Sequence, residues 1–433
     1  MLQKSVALPQ ASLWRNRDFM LAGSARFIAA VGYGAVVVSI MLHLQSTLAG
    51  PAAVWTVAAY LLLATLPTVL IAPWAGRLVD TRDSRTLAVK SSLLSAAAVA
   101  AMALSIVLLT DYMPALFALT VVLEAALAVS TPTWTALLPR IVGEESTPRA
   151  LGTMQAMLML AQLAGPAVGG ILVGAGGIAT SFWAAAACYV LLALGARLIR
   201  TRRAPSTRHD GSPARLLDGL RALNSDKILW VVLLGTMFVV LAAEAINVLE
   251  VFLARVSLGA SPAEFGFLSA AMGAGLVGGS LAAGRIRSEK LRLNLYVVSI
   301  AGTGAGLFLM GTAPTIAWLY VYCAAVGAWV GVLNATFGAL LLMRAPEEQR
   351  GQVSAMANGL TRAVSIAALG VGGVLGSAFD PRLGFAVCGA ATLVVAAGTA
   401  VAMARVSLPG RSQGPHARSG PLAAVAPGPT TGD

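Results

Sequence analysis

Two carboxylates stand in the middle of apolar runs: Glu124 in LFALTVVLEAALAVS and Glu244 in VVLAAEAINVLEVF. Holding a carboxylate charged without water is expensive, so one kept at such a position is expected to do chemistry. It can take a proton from one side and release it to the other, or pair with a substrate. Asn247 lies three residues after Glu244, on the same face of a helical run. Glu250 sits nearer the end of that run and about 120° around it, so it points elsewhere. The competing reading for each is a protonated glutamate hydrogen-bonded to a neighbouring helix. Two cations, Arg26 and Arg362, also fall within apolar runs. They either snorkel to the surface or meet a carboxylate or an anionic substrate. His43, near the end of its run, reads as a surface histidine rather than a proton relay.

Other chemistries are set aside by the same inspection. Cys188, Cys323 and Cys388 lie in apolar runs and read as small buried hydrophobes, and the three histidines do not cluster, so no metal site is expected. GAGLVG (273–278) satisfies G-x-G-x-x-G, but no strand precedes it, so it reads as helix packing rather than a dinucleotide loop. No G-x-x-x-x-G-K with a following Ser or Thr occurs, so no nucleotide is expected to supply energy. No cofactor is called for, and no His/Asp/Ser constellation suggests an enzyme.

The elements that must hold these residues are membrane helices. Of 433 residues 58% are hydrophobic and only 11% are charged. The mean hydropathy is +0.80. Such a composition cannot clothe a water-soluble surface, and runs of about 20 apolar residues recur along the whole chain. Twelve spans are predicted, at 19–44, 53–74, 87–110, 114–138, 152–174, 179–199, 228–252, 265–284, 294–311, 316–342, 353–378 and 384–405. The runs are too long and too uniformly apolar for barrel strands, so the expected fold is an all-α polytopic membrane protein. Apart from Arg26 and Arg362 in spans and Arg255 and Arg382 in the opposite loops, every Lys and Arg falls on the side of the termini. By the positive-inside rule both termini are cytoplasmic, in a cell membrane that the Ala-, Gly- and Arg-rich composition suggests is bacterial. The formal net charge of +12 is therefore a topology signal, not a nucleic-acid site. Trp55, Trp74, Trp183, Trp230 and Trp318 sit near span ends and suit an interfacial belt.

The spans fall into two halves. The expected parts are an N-terminal segment (1–18), a six-helix half (19–199), a central loop (200–227), a second half (228–405) and a disordered tail (406–433). Three segments recur at nearly one spacing: ALLPRIVGEESTPR (136–149) with LLLMRAPEEQR (340–350), AVGGILVG (167–174) with GVGGVLGS (370–377), and AGRL (75–78) with AGRI (283–286). They indicate a duplicated unit, and two halves rocking about a central site is how a carrier alternates access.

Several motifs give this organisation a family. In GRLVDTRDSRT (76–86), Gly76, Leu78, Asp80 and Arg85 match the G-x-L-x-D-R-x-G-R-R/K loop of the major facilitator superfamily, while Thr81, Asp83 and Ser84 depart from it. AQLAGPAVGG (161–170) resembles the antiporter motif G-x-x-x-G-P-x-x-G-G, with Ala161 for its first glycine and with Gly165, Pro166, Gly169 and Gly170 in register. LPTVLIAPWAG, TPTWTALLP and RAPEEQRGQV are similar to segments of the macrolide and siderophore exporters of that superfamily. The resemblance implies twelve helices in two pseudo-symmetric halves, with helices 1, 4, 7 and 10 lining a central cavity that Glu124 and Glu244 would both face. It also implies a cytoplasmic gate in which Gly76 lets helix 2 approach a neighbour and Asp80 accepts from Arg140 or a helix N-terminus. Tyr33 occupies a place where related exporters often carry an acid, which shifts the proton site toward Glu124 and Glu244.

The expected function is therefore proton-coupled efflux of a small amphiphilic compound (drug, macrolide, siderophore or other natural product) by a monomer in the bilayer. Proton-coupled uptake or facilitated diffusion is the alternative within transport. A non-transporting membrane sensor or scaffold is the alternative of another class.

Overall fold

The computed structural model describes residues 13–201, 226–286, 288–345 and 350–407. Most of the expected N-terminal segment, central loop and tail lies outside them. Helix follows helix, with no strand among the described residues. A 3₁₀ turn at Leu13–Arg15 leads into α1 (Arg17–Thr47), followed by α2 (Gly50–Thr81), α3 (Ser84–Leu108) and α4 (Met113–Val142). The next helical stretch, Thr147–Leu198, has 52 residues. At 1.5 Å per residue it would be about 78 Å long, more than twice a hydrocarbon core. Gly177 divides it, with φ of 77°, a conformation that a side chain disfavours. The result is α5 (147–176) and α6 (178–198). Then come α7 (Lys227–Phe252), which runs into a π turn at Leu253–Ser257, α8 (Pro262–Gly284), α9 (Glu289–Gly311), α10 (Ile316–Arg344), α11 (Arg350–Ala378) and α12 (Pro381–Ser407).

Each of the twelve overlaps a predicted span, and most continue beyond it, because caps outside the apolar run extend them. Asn16 Oδ1 accepts from the Phe19 N–H at 3.1 Å and starts α1 ahead of its apolar stretch. Asp83 does the same for α3 through Thr86 N–H at 2.8 Å, and Ser261 with Glu264 forms a reciprocal cap on α8. Asp83, which departs from the gate-loop pattern, thus has a local task.

The two halves are built alike. In the first, α1 packs on α5 and α2 on α4; in the second, α7 packs on α11 and α8 on α10. Small residues set the spacing. A Cβ on Gly165 would lie 2.8 Å from the Val31 carbonyl oxygen, and one on Gly169 would lie 2.6 Å from Ala35 Cα. Bilayer lipid is as apolar as any side chain, so this close backbone contact supplies cohesion that the hydrophobic effect cannot.

The halves meet mainly through α5 against α8 and α2 against α11. We call the end of the bundle where α1 begins the near end, and the other the far end. Contacts between halves gather toward the far end: Gly170 against the Pro262 carbonyl, Gly266 against the Pro166 carbonyl, Gly373 against the Trp55 ring, Gly376 against Val54. At the near end a Cβ on Gly76 of α2, Gly152 of α5, Gly284 of α8 or Gly359 of α11 would meet nothing within 4 Å. The bundle is closed at the far end and parted at the near end.

Several near-end bonds brace one half internally. Asn16 Nδ2 donates to the Ile141 carbonyl at 2.9 Å, and Asp18 Oδ2 accepts from the Arg200 and Thr201 amides at 3.0 Å each. In the other half Arg344 bridges Asp226 at 2.8 Å and Glu289 at 2.6 Å. Each half is braced as a body of its own.

Candidate functional site

A cavity of about 690 Å³ opens along the first half, with Arg362 of α11 facing it from the second. Tyr33 of α1 and Glu124 of α4 line it at mid-depth, Gln155 and Gln162 of α5 line one wall, and Gly76 lines it toward the near end. α4 carries Glu124 inward because Thr120, Glu124 and Trp134 share its buried face with Leu116, Leu123 and Leu137. Glu124 is only 3% exposed, and the Tyr33 hydroxyl donates to its Oε1 at 2.9 Å. Tyr60 and Tyr189, both fully buried, lie close enough to feel its charge. Tyr189 lines the cavity, and its enclosed hydroxyl has no hydrogen-bond partner among the described residues. A phenol that donates to a carboxylate steadies its charged form and reorients when a proton arrives. Tyr33 and Glu124, singled out separately in the sequence, are thus joined by one hydrogen bond.

Glu244 is placed differently. Its Oε2 accepts from Asn247 Nδ2 at 2.9 Å, and its Oε1 accepts from Ser365 Oγ of α11 at 2.8 Å. It is half-buried and does not line the cavity in this state. The expectation that both glutamates face the cavity is corrected here: α7 turns Glu244 toward α11, where Ser365 donates to one oxygen while Asn247 of α7 donates to the other. Glu250 is buried on the same helix, with Oε1 unpartnered among the described residues and Cys323 nearby.

The gate-loop residues also part company. The expected close approach at Gly76 is absent, because the near ends of the halves stand apart and Gly76 lines the opening. Leu78 is exposed. Asp80 lines a groove beside Thr131, Pro132 and Thr135 of α4, and Arg140 lines a separate recess with Glu144. Arg85 donates to the Arg197 carbonyl at the end of α6, a brace within one half. The helix 5 motif is used on both flanks: Gly165 and Gly169 seat α1, Pro166 packs on Gly34, and Gly170 seats α8 of the other half.

Arg26, half-buried, and Arg362, exposed, both line the cavity. His43 Nε2 lies 2.9 Å from the Tyr112 hydroxyl at the far end. Trp55, Trp74, Trp183 and Trp318 are exposed as a belt requires, whereas Trp230 is half-buried, its ring N–H enclosed and without a partner among the described residues. Sequence reasoning missed Tyr60, Tyr189, Gln155 and Gln162. The glutamines stand seven residues apart on one face of an otherwise apolar helix, a signal that was available.

Residues 11–357 match the model of a family described as transmembrane secretion effector. The enterobactin exporter EntS of Shigella boydii serotype 18 is 26% identical over 264 residues, 59% of this chain and 61% of that protein. Its counterpart in Citrobacter koseri is 27% identical over the same share. The chain thus spans about 61% of the length of these curated relatives. Among solved structures, the nucleoside transporter NupG superposes with a TM-score of 0.69 at 14% identity, covering 89% of this chain and 99% of that one. A bacterial homologue of the iron transporter ferroportin, in an inward-facing state, gives 0.68 at 15% identity, covering 92% and 100%. These structures share the fold.

Proposed function

Because the chain belongs to the transmembrane secretion effector family of major facilitator transporters, we propose that it exports a small amphiphilic compound across the cell membrane in exchange for protons. The near end, where the Lys and Arg gather, is the cytoplasmic one, so the cavity takes its cargo from the cytoplasm. Closure of the near end and parting of the far-end contacts at Gly170–Pro262 and Gly373–Trp55 then release it outside. Each chain holds a whole cavity, which suits a monomeric carrier. The named relatives are exporters of enterobactin, which favours a natural product of that general size over a simple metabolite.

The observation that carries this reading is Glu124: a carboxylate 3% exposed, bonded to Tyr33, on the wall of a cavity at mid-depth in the bundle. A proton arriving from the far side neutralises Glu124 and frees the Tyr33 hydroxyl; its departure to the near side restores the pair. Glu124→Gln keeps the shape and removes the titration. In proteoliposomes with an imposed pH gradient, wild type should accumulate substrate against its own gradient. The variant should bind substrate and exchange it passively but not accumulate it. Undiminished accumulation by Glu124→Gln would sink the proton assignment, and equal flux with and without the gradient would leave facilitated diffusion.

A further inference from the structure

Arg26 and Arg362 belong to opposite halves, one on α1 and the other on α11. Arg362 is the single described residue of the second half that lines the cavity. Neither guanidinium has a carboxylate or other hydrogen-bond partner among the described residues, and the Glu124 oxygen that is bonded there is bonded to Tyr33. Other arginines that sit against the helix bundle are held. Arg344 holds Asp226 and Glu289, Arg382 donates to the Gly311 and Ala313 carbonyls, and Arg85 donates to that of Arg197. A cation at membrane depth normally finds a partner. Here two are left open, facing one space.

We propose that Arg26 and Arg362 together recognise an anionic group on the transported molecule, a carboxylate, phenolate or phosphate borne by an apolar body, and that this group bridges the two halves. The inference rests on the transport reading and supplies its substrate class. Guanidinium presents a planar fork of donors that fits a two-oxygen anion better than any other side chain does. Arg26 stands seven residues before Tyr33 on α1, about 10 Å nearer the near end. The anionic head is therefore held toward the opening, clear of Glu124, while the apolar body lies against Ala29, Leu127 and Trp134. The same pair explains why an empty carrier stays open. Closing the near end brings two like charges together in a medium that screens them poorly. An anion between them turns that repulsion into attraction, so the loaded form is the one that closes.

The test uses the full chain in phosphatidylcholine nanodiscs with three probes that share one body: 1-pyrenebutanoate, 1-pyrenebutanol and 1-pyrenebutylammonium, with partition into empty discs subtracted. The carboxylate should bind about tenfold to a hundredfold tighter than the alcohol, the range of one or two charge-assisted hydrogen bonds. Arg26→Gln and Arg362→Gln should each remove most of that preference, and Arg26→Lys and Arg362→Lys should keep part of it. Tighter binding of the alcohol or ammonium, no saturable binding of any probe, or an undiminished preference in both Gln variants overturns the inference. The wild-type ranking decides even if a variant fails to fold. No gradient is imposed, so failure here leaves the transport reading intact, whereas loss of gradient-driven flux with the ranking preserved would remove only that reading.

Discussion

At the scale of single residues, the two intramembrane glutamates differ in what they touch. Glu124 opens onto the cavity through a phenol, whereas Glu244 is held by Asn247 and Ser365 between helices of one half. The pH response of transport should therefore follow Glu124 alone. Glu124→Gln is expected to flatten the pH–rate profile measured in proteoliposomes, while Glu244→Gln leaves its shape unchanged. A profile flattened only by Glu244→Gln would reverse the assignment. Ser365→Ala leaves one half-buried acceptor unpaired and should lower stability by about 1 kcal/mol, read as a fall in thermal midpoint, with transport retained. The arginine at the end of α10 is structural in the same sense. Arg344 joins the starts of α7 and α9, but its side chain is 22% exposed and Asp226 keeps its cap on the Ile228 amide, so Arg344→Gln should cost only about 1 kcal/mol.

At the scale of elements, neighbouring glycines of α5 have separable roles. A Cβ at Gly169 would strike Ala35 of α1, inside the same half; one at Gly170 would strike the Pro262 carbonyl of α8, in the other half. Gly169→Leu should therefore destabilise the first half and reduce folded yield. Gly170→Leu should wedge the far-end contact and shift the population toward near-end closure, leaving each half folded. Spin labels at Arg77 on α2 and Asn358 on α11, in a background without native cysteine, would report the shift as a shorter near-end distance. An unchanged distance with normal folding would show that the far-end contact at Gly170 does not govern the near end. Gly76 of α2 differs from both. A Cβ there would meet nothing within 4 Å, and the residue lines the cavity toward the near end.

At the scale of the whole molecule, the placing of the near end in the cytoplasm rests on charge. It predicts that a fluorescent protein fused after residue 433 folds and fluoresces, while the same fusion in the α7–α8 turn near Gly259 stays dark after export. Much of this scale was legible in the chain itself. Long apolar runs set twelve spans, since a bilayer leaves backbone groups no partner outside a helix, and the recurrence of Arg140 and Arg344 before their acidic pairs marked the duplication. Glu124, Tyr33 and the helix 5 glycines stood out because polar or flexible residues are costly at that depth. What the sequence left open is rotational. A helix that is apolar all round carries no stripe to show which face meets lipid and which meets a neighbour, so α7 could have aimed Glu244 into the cavity or at α11. Only packing between helices settled that Glu244 turns to Ser365, that Arg85 braces its own half, that Arg26 and Arg362 share one space, and that the far end is the closed one.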